Sequence, residues 1–203
     1  MRRRAIFMDR DGTLCEEVGY VNHLSRCRLM PNSLEAVRLA NRAGFLVIVA
    51  TNQAGVARGY FEEPLIGEVH DRIRGWIEEG GGRIDAFYYC PHHPREGQIP
   101  YRRDCDCRKP RPGMLIRAAR EHDINLQRSY MIGDSLADLG AAAGAGVVPV
   151  HVLTGYGRGL AEHHTDRFTV QPQYTADDLL DAVRWILARE SPSTQPPPQG
   201  MTS

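Results

Sequence analysis

The sequence predicts an α/β protein with a doubly wound, mostly parallel sheet that is covered by helices on both faces. Apolar runs of strand length alternate along the chain with amphipathic segments of helical period. The runs are continuously apolar, which is typical of strands buried on both faces of a parallel sheet. A chain of 203 residues can bury one sizeable core, so residues 1–190 are expected to form a single domain.

Five segments are predicted to be strands, because each is short, apolar and bounded by glycine or polar residues. In chain order they cover residues 4–8, 45–50, 84–89, 129–133 and 147–153. Gly12 interrupts the chain soon after the first strand, and the second strand runs directly into Thr51.

Five further segments carry apolar residues at helical spacing. They run from Asn32 to Gly44, over 65–77, from Pro112 to about His122, beyond Asp134 to about Ala145, and over 176–189. Asn32, with Glu35 three residues later, is expected to cap the first helix, and Thr175 is expected to cap the last.

Three stretches are expected to lie outside the regular elements. Residues 14–30 have no clean period and are typical of a loop or flap. Residues 90–112 are rich in Pro, Arg, Cys and His, and they form a connection too long for a compact domain unless something ties it down. The polar, Pro-rich tail of residues 191–203 is expected to be disordered.

Composition argues against several classes of protein. The 25 basic and 25 acidic residues balance, so no strong overall field would recruit nucleic acid or a membrane. No apolar run approaches the length of a membrane span, and no signal peptide is recognisable. Three of the five cysteines lie within eighteen residues, which indicates metal binding or reduced thiols in a cytoplasmic protein rather than a secreted disulfide framework.

Polar side chains follow three of the predicted strands. Asp9 and Asp11 follow the first strand, Thr51 and Asn52 follow the second, and Asp134 follows the fourth. Because the carboxyl ends of parallel strands lie side by side, these residues should converge on one crevice. Asp9 and Asp11 should point into the same space, where two carboxylates need a cation or a shared proton. Carboxylate oxygens suit Mg²⁺, and a hydroxyl with nearby backbone amides can hold phosphate oxygens.

Lys109 is the single lysine among 25 basic residues. A compact ammonium group can neutralise the charge that spreads over a transferring phosphoryl group. Simpler roles remain open: Lys109 as a solvated charge, Thr51 and Asp134 as helix caps, and the DxDG sequence as a turn or a calcium loop. Their joint placement at strand ends favours a phosphate site.

The sequences DRDGT (residues 9–13), ATNQ (50–53), RKP (108–110) and GDSLAD (133–138) resemble the four motifs of the haloacid dehalogenase-like (HAD) phosphatases. The resemblance covers residues 4–155 and implies a HAD-like Rossmannoid fold without a large cap domain. It also implies that Asp9 attacks phosphorus, that Asp11 acts as general acid and then base, and that Thr51 and Lys109 hold the transferring group. The implied Mg²⁺ ligands are Asp9, the backbone carbonyl of Asp11, and Asp134.

A C-x-H pattern and a C-x-C pattern lie in the long connection. Three thiolates and one imidazole suit a closed tetrahedral Zn²⁺ site that would staple this connection, although free cysteines beside solvated histidines are the alternative. The candidate ligands are Cys90, His92, Cys105 and Cys107. His92 is preferred as the ligand because it faces the same way as Cys90 in an extended segment, and His93 remains the alternative ligand.

The phrases at residues 19–21, 51–59, 89–94 and 105–110 resemble the zinc-bearing, capless HAD family of D-glycero-D-manno-heptose 1,7-bisphosphate 7-phosphatases. This resemblance implies a cytoplasmic, monomeric enzyme of bacterial heptose metabolism, which supplies lipopolysaccharide core or nucleotide-heptose, and a small sugar phosphate as substrate. The implied zinc ligands are the four named above. The implied substrate contacts are Glu17, Val18, Gly19, Tyr20, Thr51, Asn52, Gln53, Ala54, Arg108 and Lys109.

Three residues depart from the pattern of that family. Ser135 replaces a basic residue after the motif-four aspartate, and Cys15 and Glu16 occupy flap positions where small polar residues are more usual. These departures bear on the contact to the second phosphate and on the preferred anomer rather than on the chemistry. Cys15 is expected to be a partly buried, inert thiol, with a redox-sensitive thiol as the alternative.

Two other functions compete with this one. Histidinol-phosphate phosphatases share the aspartates and the zinc pattern but generally lack the NQxGxARG phrase. A zinc-knuckle-like module could instead bind nucleic acid through Tyr101-Arg102-Arg103 and the basic segment 108–111. The neutral total charge and the crevice carboxylates, which would repel a phosphate backbone, argue against that module.

Overall fold

The computed structural model describes residues 2–190, in which six parallel strands form one sheet. The strands are β1 (Ala5–Met8), β2 (Leu46–Asn52), β3 (Ala86–Cys90), β4 (Tyr130–Gly133), β5 (Val148–Val152) and β6 (Tyr174–Ala176). Their order across the sheet is β3-β2-β1-β4-β5-β6, so the strand order reverses at β1, where open α/β sheets bind ligands. The predicted tail of residues 191–203 lies outside the described residues.

Helices cover both faces of the sheet. In the described part of the chain they are α1 (Ser33–Arg42), α2 (Pro64–Glu79), α3 (Gly113–Glu121), α4 (Leu136–Ala145), α5 (Gly157–His163) and α6 (Leu179–Glu190). Ile6 and Met8 of β1 join a core with α1, α2 and α6, whereas Phe7 joins a second core with α3 and α4. The predicted doubly wound α/β fold is confirmed. No helix within residues 2–190 is long and apolar enough to cross a membrane.

Two elements near the C-terminus differ from the prediction. Thr175 lies in β6 and pairs with His151 of β5, so the prediction that it caps the last helix is wrong. Pairing with β5 holds this segment extended, and α6 begins only at Leu179. Neither β6 nor α5 was predicted, because elements of three and seven residues are too short to show a clear period.

Asn32 precedes α1 without capping it through its side chain. Its backbone is left-handed, with a φ of 67°, whereas a capping residue normally has an extended backbone. The side-chain amide of Asn32 instead donates to Oδ2 of Asp178 at 3.0 Å. The predicted capping hydrogen bond is therefore wrong, and Asn32 links the start of α1 to the segment before α6.

Two of the simpler roles considered for the site residues are excluded by their positions. β2 continues beyond its predicted end, and Thr51 pairs with Tyr89 of β3, so Thr51 lies in a strand rather than at a helix start. The N-cap of α4 is Ser135 rather than Asp134. Thr51 and Asp134 are therefore not helix caps.

Candidate active site and metal centre

The carboxyl ends of three adjacent strands form the centre of the site. β1 lies between β2 and β4, so Asp9, Thr51 and Asp134 follow or end neighbouring strands. Lys109 comes from the long connection between β3 and α3 and reaches the same centre. The structure thus brings together the residues that the sequence placed at separate strand ends.

Lys109 is buried among oxygen atoms. Its Nζ lies 2.9 Å from Oδ1 of Asp9 and 2.5 Å from Oδ1 of Asp138, and it donates to the carbonyl of Ala50 at 2.7 Å. Burial works against the charge, but Asp138 and Asp9 outweigh it and raise the pKa of Lys109 above its ordinary value. Lys109 is therefore a fixed positive charge beside Asp9 and not a solvated lysine.

Asp138 is a site residue that the sequence reasoning missed, although it is the last residue of the GDSLAD motif. It is fully buried, and its two oxygens have different partners. Oδ1 holds Lys109, while Oδ2 accepts from the backbone N–H of Ser135 at 3.1 Å and from its hydroxyl at 2.6 Å. Asp138 thus joins the cap of α4 to Lys109, and the hydroxyl of Ser135 takes part in this contact.

Asp9, Asp134 and Asp138 form a compact acidic cluster, in which each residue offers one ligand atom and these atoms all lie within 4.8 Å of one another. Burial raises the pKa of Asp9 to about 7, with Lys109 opposing the rise. Burial, followed by Asp9 and Asp138, raises the pKa of Asp134 to about 8. Carboxylates this crowded favour a bound cation.

The donor set of this cluster fits Mg²⁺, which binds to one or two carboxylates and otherwise to water or phosphate. Asp138 already holds Lys109 and the cap of α4. Within the described residues, Oδ2 of Asp9 and Oδ1 of Asp134 accept no hydrogen bond, whereas the other oxygen of each carboxylate does. Asp9 and Asp134 therefore each keep one oxygen available for an ion.

The Asp11 carboxylate is held by residues outside the acidic cluster. Arg10 donates to it twice, at 3.0 and 2.8 Å, and Gln53 donates at 2.8 Å. Gln53 also donates to the Thr51 hydroxyl at 2.9 Å and accepts from Arg10 at 2.8 Å. The two carboxylates of the DxD motif thus have different partners: Asp9 contacts Lys109, whereas Asp11 contacts Arg10 and Gln53. The buried Arg10 was missed by the sequence reasoning.

Asn52 and Arg108, predicted as substrate contacts, also tie the long connection in place. The Asn52 side chain exchanges two hydrogen bonds of 3.0 Å with the backbone N–H and carbonyl of Lys109. Arg108 donates to the carbonyl of His92 at 3.2 Å. Ala54, two residues after the end of β2, is buried. This connection is therefore held at Lys109 by strand β2.

The flap is held by its own polar groups. Oε1 of Glu17 accepts from the backbone N–H of Gly19 at 2.5 Å, and burial raises the pKa of Glu17. Arg26 donates to the carbonyls of Val18 and Tyr20, at 2.6 and 3.2 Å. These contacts fix residues 17–20 as an ordered rim.

Cys15 lies in the interior of the protein at the base of the flap. It is 1% exposed, and its neighbour Cys27 is 4% exposed. A hydrogen bond to Cys27 and burial raise the pKa of the Cys15 thiol well above its ordinary value. Such a thiol is unreactive, which favours the inert role over the redox-sensitive one.

Four candidate zinc ligands meet in the long connection. Sγ of Cys90 lies 3.5 Å from Sγ of Cys105 and 3.1 Å from Sγ of Cys107, and Nδ1 of His92 lies 3.4–3.6 Å from two of the sulfurs. The sulfurs are too far apart for disulfides of about 2.05 Å and slightly closer than the separation of about 3.8 Å in a tetrahedron with Zn–S bonds of about 2.3 Å. The donor set and its spacing thus fit Zn²⁺.

His93 points away from the sulfur cluster. Its Nδ1 accepts from the backbone N–H groups of Arg95 and Glu96, at 3.3 and 2.8 Å. His92 is therefore the histidine positioned as a ligand.

A surface cavity of about 810 Å³ lies along the outer edge of β3, where Tyr88, Tyr101 and His92 are among its lining residues. Asp9, Lys109 and the other strand-end residues do not line it. The site is thus located by its convergent polar groups and not by cavity volume.

Comparison with known proteins places the chain in a family. The family described as HAD-hyrolase-like matches residues 106–182. The D-glycero-D-manno-heptose-1,7-bisphosphate 7-phosphatase of Thermosynechococcus vestitus is 39% identical over 196 residues, which cover 95% of this chain and 100% of that protein. The D-glycero-beta-D-manno-heptose-1,7-bisphosphate 7-phosphatase of Pasteurella multocida is 36% identical over 189 residues, with 93% and 100% covered.

A solved structure gives the same relationship. The crystal structure of D,D-heptose 1,7-bisphosphate phosphatase from B. bronchiseptica, complexed with magnesium and phosphate, aligns with a TM-score of 0.79 and 36% identity over 92% of this chain and 99% of that chain. The predicted HAD-like Rossmannoid fold without a large cap is confirmed. The chain is a HAD phosphatase and belongs to the D-glycero-D-manno-heptose-1,7-bisphosphate 7-phosphatase family.

Proposed function

We propose that the protein removes the 7-phosphate of D-glycero-D-manno-heptose 1,7-bisphosphate through an aspartyl-phosphate on Asp9. The main support for this proposal is that Asp9, Lys109 and Asp134 lie close together beside the carboxyl ends of neighbouring strands. It is supported by 39% identity to a 7-phosphatase over nearly the whole chain.

Asp9 suits the role of nucleophile. Lys109 and the backbone N–H of Arg10 hold its Oδ1, at 2.9 and 2.7 Å, so the carboxylate has a fixed direction. Attack on phosphorus would divide a difficult hydrolysis into two easier displacements. The Lys109 ammonium would offset the charge of the phosphoryl oxygens. The Thr51 hydroxyl, which accepts from Gln53, keeps its hydrogen for one of those oxygens.

Asp11 suits the role of general acid and base. Arg10 and Gln53 hold its carboxylate in place, and Gln53 links it to the Thr51 hydroxyl. It would give a proton to the leaving alkoxide of the sugar and later take one from the hydrolytic water. The flap residues Glu17 to Tyr20, together with Asn52, Gln53, Ala54 and Arg108, would bind the sugar and its second phosphate.

Mg²⁺ would be held by Asp9, the backbone carbonyl of Asp11, and Asp134. When bound, it would supply positive charge that polarises the phosphoryl group and compensates the crowded carboxylates. The magnesium and phosphate in the B. bronchiseptica structure support this assignment.

Zn²⁺ would be held by four ligands: Cys90 and His92 from one pair, and Cys105 and Cys107 from the other. Its role would be structural, because all four positions are filled by the protein. The closed cluster would fix the segment that continues directly into Arg108 and Lys109.

We further propose a single domain over residues 1–190 that acts as a monomer in the cytoplasm, without a nucleic-acid or membrane partner.

A substrate panel followed by ³¹P NMR tests the function. It compares both anomers of the heptose bisphosphate with fructose 1,6-bisphosphate and histidinol phosphate, with and without Mg²⁺. The expected result is Mg²⁺-dependent loss of the 7-phosphate resonance while the 1-phosphate is retained. Preferential hydrolysis of histidinol phosphate, or release of the 1-phosphate first, would overturn the substrate assignment.

A further inference from the structure

The segment that follows β5 reaches into the active site, although it belongs to none of the four motifs. The hydroxyl of Thr154 donates to the backbone carbonyl of Gly12 at 2.6 Å. Two residues later, the backbone N–H of Tyr156 donates to Oδ2 of Asp134 at 2.8 Å. One short segment thus contacts both the loop that carries Asp11 and the carboxylate of Asp134.

Two glycines enclose the Asp134 carboxylate. Gly12 and Gly155 both have positive φ, of 80° and 54°. A Cβ on Gly12 would lie 2.3 Å from Oδ2 of Asp134, and one on Gly155 would lie 2.1 Å from it. The Gly155 position would also lie 2.7 Å from the Cα of Gly12. The carboxylate is therefore packed between two backbones that leave no room for a side chain.

These contacts determine which oxygen of Asp134 is available. Tyr156 occupies Oδ2, so Oδ1 remains without a donor from the described residues. Thr154 meanwhile ties the Asp11 loop to the same segment. The same short segment thus contacts the proposed metal ligand Asp134 and the residue after Asp11, at two different strand ends.

We propose that Thr154 is a positioning residue of the magnesium site, and that the backbone of Gly155 and Tyr156 fixes Asp134 as a ligand. The proposal rests on the proposed function only in taking Asp11 and Asp134 as Mg²⁺ ligands. Thr154 itself acts through Gly12 and touches neither substrate nor ion.

Variants of this segment separate positioning from general packing. Thr154→Val keeps the shape of the side chain but removes the hydroxyl donor, and Thr154→Ser restores that donor. Gly155→Ala places a methyl group against the Asp134 carboxylate. Thr175→Val is the matched control at an exposed position of β6, and Gly159→Ala is the control in α5, where a Cβ meets nothing within 4 Å.

Calorimetric titration with Mg²⁺ in the absence of substrate gives the decisive readout, with thermal unfolding as the check on folding. Thr154→Val should bind Mg²⁺ roughly three- to tenfold more weakly, as expected for one lost hydrogen bond. Gly155→Ala should weaken binding by more than about tenfold because it combines a strained φ with a clash. Thr154→Ser and both controls should stay within about twofold of the unaltered protein.

The outcomes distinguish this proposal from the proposed function. If the unaltered protein binds Mg²⁺ and hydrolyses the bisphosphate while Thr154→Val and Gly155→Ala bind Mg²⁺ as tightly, the positioning role is overturned and the function stands. If the unaltered protein binds no Mg²⁺, both fall. Weaker Mg²⁺ binding by folded Thr154→Val, with recovery in Thr154→Ser, supports the positioning role.

Discussion

Lys109 shows how far a single residue can be understood before the fold is known. Its uniqueness among arginines indicated a need for a compact point charge, and the structure places it between two carboxylates. A planar guanidinium would not fit that space in the same way. The partner Asp138 was not identified from the sequence, because its meeting with Lys109 depends on the tertiary packing of α4.

Other residues of the site were missed for a similar reason. Arg10 lies between Asp9 and Asp11 in the sequence, and nothing in the sequence showed that its charge is buried. Thr154 lies beyond a strand end, but its contact is to a backbone carbonyl more than a hundred residues away. Such contacts to the backbone leave no residue-type pattern in the sequence.

Asp134 should make the metal-free protein less stable at higher pH. Burial raises its pKa from 3.8 to about 8, so the native state keeps a proton that the unfolded chain releases. The free energy of unfolding should therefore fall as pH rises from about 4 to about 8, by about 1.4 kcal/mol for each unit of raised pKa that is fully expressed. Mg²⁺ takes the place of the proton and should stabilise most at the upper end of this range.

Urea denaturation at several pH values, with and without Mg²⁺, checks this expectation. Asp134→Asn is the control for this group: it should make the fall with pH smaller, with Asp9 accounting for what remains, and it should remove most of the Mg²⁺ effect. A metal-free protein in which the Asp134 carboxyl instead adds stability toward pH 8 would contradict the burial argument.

At the scale of elements, α4 is joined to the active site through Asp138. Asp138→Asn should lower the free energy of unfolding by about 3 kcal/mol, since it leaves the buried Lys109 with one carboxylate fewer. Ser135→Ala, which only weakens the cap, should cost about 1 kcal/mol. In the double variant Asp138→Asn with Lys109→Met, the combined loss should be smaller than the sum of the single losses. Strictly additive losses in chemical denaturation would show that the pair is not coupled.

The long connection between β3 and α3 should depend on the proposed Zn²⁺ for its order. Cys107→Ala should release Zn²⁺ and loosen the segment that carries Lys109, so turnover should fall and proteolysis within residues 90–112 should become faster. Metal analysis by mass spectrometry and limited proteolysis measure the two effects.

His93→Ala is the matched control in that connection. Its ring bonds to backbone amides and not to the sulfurs, so this variant should keep its Zn²⁺. Loss of zinc from His93→Ala, or full zinc content in Cys107→Ala, would contradict the assigned ligand set.

Long elements with a clear period could be predicted, and short ones could not. The amphipathic helix α2 and the apolar strand β2 were found within a few residues of their ends, because apolar spacing reports burial directly. β6 has three residues and is defined by its pairing with β5 rather than by composition. The predicted cap at Asn32 was wrong because the backbone of Asn32 is left-handed, which the sequence pattern does not reveal.

At the scale of the whole molecule, the fold itself explains why distant motifs could be assembled from the sequence. Parallel strands with right-handed crossovers send all their carboxyl ends to one edge, so residues that follow buried strands meet there. From that rule, the sequence correctly predicted that Asp9, Thr51 and Asp134 lie at the same edge of the sheet. The rule gave no information on the partners of each side chain, so the contacts of Arg10 with the Asp11 carboxylate were not predicted.

The central claim is that the convergence of strand ends makes Asp9 a nucleophile toward phosphorus. Rapid acid quench of the enzyme turning over heptose bisphosphate with Mg²⁺, followed by peptide mass spectrometry, tests it most directly. A phosphoryl group should appear on the peptide that contains Asp9, and it should be absent without Mg²⁺ and in Asp9→Asn, whose turnover should drop by a factor on the order of 10³ or more. Turnover with no phosphoryl group on Asp9 at any quench time, or a phosphoryl group on another peptide, would contradict the claim.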